Sequence, residues 1–102
     1  MNAMNSIILE GYVTKKEIRN NVCIVTIGSD RYYKDADGNT VTETSYFDVE
    51  TYGNFAEICN KNCTEGRGIR VVGRIKQNRW TSDGKEYSKV VVVAEHVEFK
   101  PQ

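Results

Sequence analysis

Arg70-Val71-Val72-Gly73-Arg74-Ile75-Lys76-Gln77-Asn78-Arg79-Trp80 is the stretch from which the rest of the chain is read. At the two-residue period of a strand, Ile69, Val71 and Ile75 share one face, and Arg70, Arg74, Lys76, Asn78 and Trp80 share the other. An apolar face backed by cations and an indole suits a polyanion that carries bases. The cations neutralise phosphates and the indole stacks on a base. One such strand is equally well an ordinary solvated sheet face, so its neighbours must decide.

The neighbour on the C-terminal side can be registered by arithmetic. Asp83-Gly84 is a two-residue type I′ signal, which sets Ser82 opposite Lys85, Trp80 opposite Tyr87, and Asn78 opposite Lys89. Lys76 then faces Val91 and Arg74 faces Val93, so Trp80, Tyr87, Arg74, Lys76 and Lys89 form one surface. Ile75 opposite Val92, and Val71 opposite His96, are expected on the other.

Upstream, Ser6 to Thr14 alternates Ile7, Leu9 and Val13, with Gly11 expected as a bulge or bend. Val22 to Tyr32, Thr44 to Tyr52 and Tyr87 to Phe99 also read as strands, and Gly53 to Asn62 carries Phe55, Ile58 and Cys59 at helical spacing. The Gly66-Arg67-Gly68 region ends that helix. Three strands, a helix and two strands predict an all-β, five-stranded OB-fold Greek-key barrel, with one short helix between strands three and four. A five-stranded sandwich is the alternative, and the helix position favours the barrel. Residues 1–102 read as one such domain, with 1–5 expected to be disordered or an expression-derived leader.

In the second hairpin, a three-residue loop at Asp37-Gly38-Asn39 pairs Tyr32 with Thr44, Asp30 with Tyr46 and Thr26 with Glu50. This register keeps Val25, Ile27, Phe47 and Val49 on one face, as a core requires, and turns Tyr32, Tyr46 and Tyr52 outward with Asp48 and Glu50. Thr14 to Asn21 reads as a loop with Lys15, Lys16 and Arg19, and Arg31 to Thr44 as a second with Arg31, Lys34, Tyr32 and Tyr33. Basic residues interleaved with aromatics beside such a barrel's open face are suited to strand binding.

Composition narrows the field. Lys and Arg total 14 and Asp and Glu total 14, so any polyanion site must be a local patch. The longest apolar run, Val90 to Ala94, falls far short of a membrane span, and Met1 to Asn5 lacks the regions of a secretory signal. Cys23, Cys59 and Cys63 are an odd set, read as reduced packing residues in a cytoplasmic chain. With His96 the single histidine, no metal or cofactor is expected. Asp48 and Glu50 read as solvated charges rather than a catalytic pair, and no nucleophile–base set or phosphate-cradling loop is present, so no enzyme is expected.

These residues resemble the bacterial and phage single-stranded DNA-binding protein family, from Ser6 to Phe99. Ser6-Ile7-Ile8-Leu9-Glu10-Gly11-Tyr12-Val13 is similar to the family's opening strand, and Tyr46 to Gly53 to its third. Val72-Gly73-Arg74-Ile75, Arg79-Trp80-Thr81, Asp83-Gly84-Lys85 and Tyr87 resemble its fourth strand and following loop. The resemblance implies stacking of bases on Tyr32, Tyr46, Tyr52 and Trp80, with cations on the backbone, in replication, recombination or repair. It also implies a homotetramer, with a dimer as the alternative. The family commonly has a flexible tail whose acidic tip recruits replication and repair proteins, whereas this sequence stops at Lys100-Pro101-Gln102. Primosomal replication protein N, an OB-fold dimer acting largely through protein contacts, is the rival resemblance; Arg79-Trp80-Thr81 and Asp83-Gly84 favour the former.

Overall fold

A small sheet closes into a barrel only if one strand pairs on both sides along its length. The first strand, β1 (Ile7–Arg19), does so. Ile7 to Tyr12 pair with β4 (Gly68–Ser82), and Tyr12 to Arg19 pair with β2 (Val22–Lys34). The crossing leaves no room at Gly11, where a Cβ would lie 2.1 Å from the Gly28 carbonyl oxygen. The expected bulge falls instead at Thr14, where the register with β2 slips between Val13 and Lys15.

In this computed structural model, which describes residues 1–101, β3 (Thr40–Thr51) is followed by α1 (Gly53–Asn62), then β4 and β5 (Lys85–Phe99). The order around the closed barrel is β1-β2-β3-β5-β4, the five-stranded OB arrangement expected from the sequence. Closure between β3 and β5 is parallel and short, at Val49–Val92 and Glu50–Val93. Val13, Val25, Ile27, Val49, Ile69 and Val71 fill the interior with almost no exposure. The helix closes one end through Ala56 and Cys59, with Cys63 at its C-cap and Tyr52 at its N-cap. All three cysteines are free and buried, as packing residues should be, whereas Ile58 lies 40% exposed on the outer side of α1.

Two of the expected loops are strands. β1 and β2 run on to a two-residue hairpin at Asn20-Asn21, whose φ angles of 50° and 66° suit a type I′ turn that asparagine tolerates. β2 and β3 run on in the same way to Lys34 and Thr40. The loop between them covers residues 35–39, because the Asp35 carboxylate accepts the N–H groups of Asp37 and Asn39, each at 2.9 Å. The expected register is therefore wrong by two: Tyr32 faces Thr42, Asp30 faces Thr44 and Thr26 faces Asp48. An even shift leaves every side chain on its expected face.

The β4–β5 hairpin follows the expected register from Ser82–Lys85 back to Arg74–Val93, and Asp83 and Gly84 have φ angles of 51° and 77°. Beyond it, a bulge at Glu95 puts Val71 opposite Val97 and Val72 opposite His96, correcting the Val71–His96 pair. Past the β1 contact, the free edge of β4 meets a side chain rather than a strand. Asn5 Nδ2 donates to the Ile75 carbonyl at 2.8 Å, and the Ile75 N–H donates to Asn5 Oδ1 at 3.0 Å.

Gly11→Ala drives a methyl into backbone that cannot withdraw without opening the β1–β2 crossing. It is expected to cost about 1–3 kcal/mol, as overpacking does, read as a lowered thermal midpoint; an unchanged midpoint would show that the crossing is loose.

Candidate nucleic-acid interface

Residues directly opposite on neighbouring strands share a face, so the outward surface of the barrel can be followed row by row. One row is Tyr12, Gly28 and Tyr46. Gly28 gives the Tyr12 ring its place: a Cβ there would lie 2.7 Å from the ring, and the Tyr12 hydroxyl reaches Asp30 at 3.3 Å. Tyr46 beside it is 63% exposed. Farther out, on the projecting β2–β3 ribbon, Tyr32 is 65% exposed, and Lys34 follows it on the same side by alternation. Arg31 occupies the ribbon's other side, with its guanidinium 4.6 Å from the Tyr33 ring centre and 3.5 Å from Glu43.

The next rows carry the carboxylates. Lys15, Thr26 and Asp48 align, then Glu17, Ile24 and Glu50. Asp48 accepts from Thr26 Oγ1 at 2.8 Å and pairs with Lys89. Glu50 is buried and accepts from Tyr52 Oη at 2.7 Å, Asn78 Nδ2 at 2.7 Å and Lys76 Nζ at 2.9 Å. The expectation that these are free, solvated charges is overturned, because β4 and β5 pass close enough to supply partners. Burial raises both carboxyl groups, but the donated hydrogen bonds and the lysine charges outweigh it and hold both below their usual range. The bond to Glu50 likewise raises the Tyr52 hydroxyl and the Lys76 ammonium.

Those contacts tie the barrel face to the β4–β5 arm. Trp80 and Tyr87 stack across the arm, 5.8 Å apart with planes 17° from parallel, and both remain about half exposed. Arg74 projects on the Lys76 side of β4 by alternation and has no ion pair among the described residues. Between arm, sheet and the β1–β2 hairpin lies a groove of about 400 Å³ lined by Glu17, Arg19, Ile24, Asp48, Glu50, Asn78, Trp80, Lys89 and Val91, with Arg19 paired to Glu17 at 2.7 Å. Trp80 and Lys89 line it, Tyr87 stacks on Trp80, Tyr52 and Lys76 join through Glu50, and Tyr46 precedes Asp48 on the same face of β3. Tyr32, Lys34 and Arg31 stand apart on the ribbon.

Sequence reasoning placed Asn78 on the cationic strand face and Arg19 in a basic loop, but passed over Tyr12. A signal for Tyr12 existed in Gly28, a glycine inside a strand, which marks close approach by a neighbouring group.

A separate apolar surface lies where the core faces of β4 and β5 leave the barrel. Ile75 is 48% exposed and Val90 61%, and they flank a cavity of about 200 Å³ with Ile8 and Phe47.

The sequence profile of the single-strand binding protein family matches residues 4–100. A single-stranded DNA-binding protein of Aquifex aeolicus is 38% identical over 72 residues, covering 71% of this chain and 49% of its own. That of Wolinella succinogenes is 32% identical over 102 residues, covering 93% and 63%. The chain thus spans roughly half to under two thirds of these relatives' length. Among solved structures, the Plasmodium falciparum SSB in complex with ssDNA superposes with a TM-score of 0.83 at 17% identity, over 99% of this chain and 98% of the other. A small single-stranded DNA binding protein from Mycoplasma pneumoniae superposes with a TM-score of 0.74 at 17% identity, covering 94% and 93%. At such identities the superpositions speak for the barrel.

The lowered carboxyl groups of Asp48 and Glu50 contribute to the acid behaviour of the fold. Their pairing stabilises the protein above the usual carboxylate range and is lost as pH falls through their lowered values. Glu50→Gln should flatten the acid limb of a melting-temperature profile; equal steepness in both proteins would show that the buried Glu50 carboxylate contributes nothing to it.

Proposed function

This chain belongs to the single-strand binding protein family, and we propose that it binds single-stranded DNA with little sequence preference. The observation that carries the reading is the stacked Trp80–Tyr87 pair, half exposed beside a groove that the Glu50 contacts connect to the tyrosine-bearing sheet. A base has a π-face whatever its identity, so an aromatic platform holds a strand without reading it. Trp80, Tyr87, Tyr52 and Tyr46 supply stacking, and Tyr32 extends the path along the ribbon. Arg74, Lys76, Lys89 and Lys34 face the backbone, with Arg31 at the ribbon's rim. The role is protection of exposed strands in replication, recombination or repair, in the cytoplasm, by binding rather than catalysis. No helix among the described residues is long and apolar enough to cross a membrane.

The apolar surface around Ile8, Phe47, Ile75 and Val90 supports self-association, since side chains this exposed gain by burial against a second copy. A homotetramer fits best, with a dimer as the simpler form.

Trp80 is the only tryptophan and lies in the proposed site, so its fluorescence reports binding directly. Titration with oligo-dT should quench it saturably, more weakly as salt rises. Trp80→Ala, followed by anisotropy of a labelled strand, should cost at least about tenfold in affinity, since stacking contributes about 1–3 kcal/mol per base. A folded protein that gives no quenching at low salt would instead be a protein-interaction module. Val90→Glu should lower the mass measured by sedimentation, and an unchanged mass would move the interface elsewhere.

A further inference from the structure

We propose that Asp48 and Glu50 are built-in competitors of the nucleic-acid backbone, holding Lys89 and Lys76 so that the groove binds less tightly and with less salt dependence than its cations would allow. The proposal rests on the reading of the groove as a single-strand site and concerns how that site is tuned.

The geometry leaves each lysine committed. Lys76 Nζ lies 2.9 Å from Glu50 Oε1, and that carboxylate is further fixed by Tyr52 and Asn78. Lys89 is paired with Asp48, itself fixed by Thr26 at 2.8 Å. Each carboxylate thus sits on a rigid strand with a second anchor, while the lysine is the mobile partner. A phosphate approaching either ammonium must share it with a carboxylate that cannot move away. The approaching phosphate also meets that carboxylate's own charge, felt strongly in a partly desolvated groove. Counterion release is reduced for the same reason: a lysine already neutralised by protein holds fewer phosphates, and each phosphate neutralised on a single strand adds about 0.7 to the salt slope. Arg74, unpaired among the described residues, retains its full effect. Stacking then carries a larger share of the affinity than the count of cations suggests.

The test is a fluorescence titration with oligo-dT at several salt concentrations, with melting curves to verify folding. Asp48→Asn and Glu50→Gln each preserve shape while removing charge. Each should bind about three- to tenfold more tightly at low salt, with the slope of log affinity against log salt steeper by up to about 0.7. Lys89→Ala should change the slope little in the native background and by about 0.7 in Asp48→Asn. Glu65→Gln makes the same change in net charge in the turn after α1 and should leave affinity and slope unchanged. If the native protein binds and both carboxylate variants keep its affinity and slope, the competition is overturned and the single-strand reading stands. An equal gain from Glu65→Gln would replace the local competition with a general charge effect. A native protein that does not bind overturns both readings.

Discussion

The structure depends on the close passage of β1 against β2 at Gly11. Because nothing wider than a hydrogen stands at Gly11, the strand can pass close against Gly28, its first half paired to β4 and its second half to β2. Without that passage the five strands would form an open sheet with two long edges, and β3 would not meet β5. The groove follows from the closure. Glu50 reaches Asn78 and Lys76 only because the end of β3 is brought beside the arm that leaves the barrel.

The groove is unusual in where its charge goes. A zero formal net charge is at odds with the proposed phosphate-bearing partner, and the resolution is local. The acids on the outward sheet face are spent within the protein on hydroxyl, amide and ammonium donors. The aromatic surfaces, by contrast, are left uncovered: Tyr32, Tyr46, Tyr52, Trp80 and Tyr87 are each between 44% and 65% exposed. Hydrophobic cost is thus retained in the free protein where bases can relieve it, and Coulombic cost is largely settled in advance.

Legibility from sequence followed turn chemistry. Asp83-Gly84 admits one tight loop, so the register of the last hairpin, and with it the Trp80–Tyr87 pair, could be counted out residue by residue. Asp35 offered no such count, because a side chain capping two N–H groups lengthens a loop without leaving a mark in the pattern of apolar residues. The faces were still right, since burial fixes parity and not register. The Glu95 bulge and the long polar halves of β1 and β2 were hidden for related reasons. A bulge has no residue signature here, and a strand outside the barrel loses the alternation by which strands are recognised. The β4 and β5 partners of Asp48 and Glu50, Lys89 on one side and Asn78 and Lys76 on the other, lie 41 and 26 to 28 residues away, a proximity that only closure creates.

Asn5 has a bearing on how the protein fares before and between its tasks. Its amide fills the donor and acceptor of Ile75, the first edge position of β4 beyond β1. Those same two backbone groups are what a stray extended chain would seize to begin templated, fibril-like growth along the arm. Beside them lie Ile75 and Val90, sticky enough to hold such a chain once docked. A single side chain, contributed from just before the first strand, therefore covers the two groups at which an added strand would begin to pair.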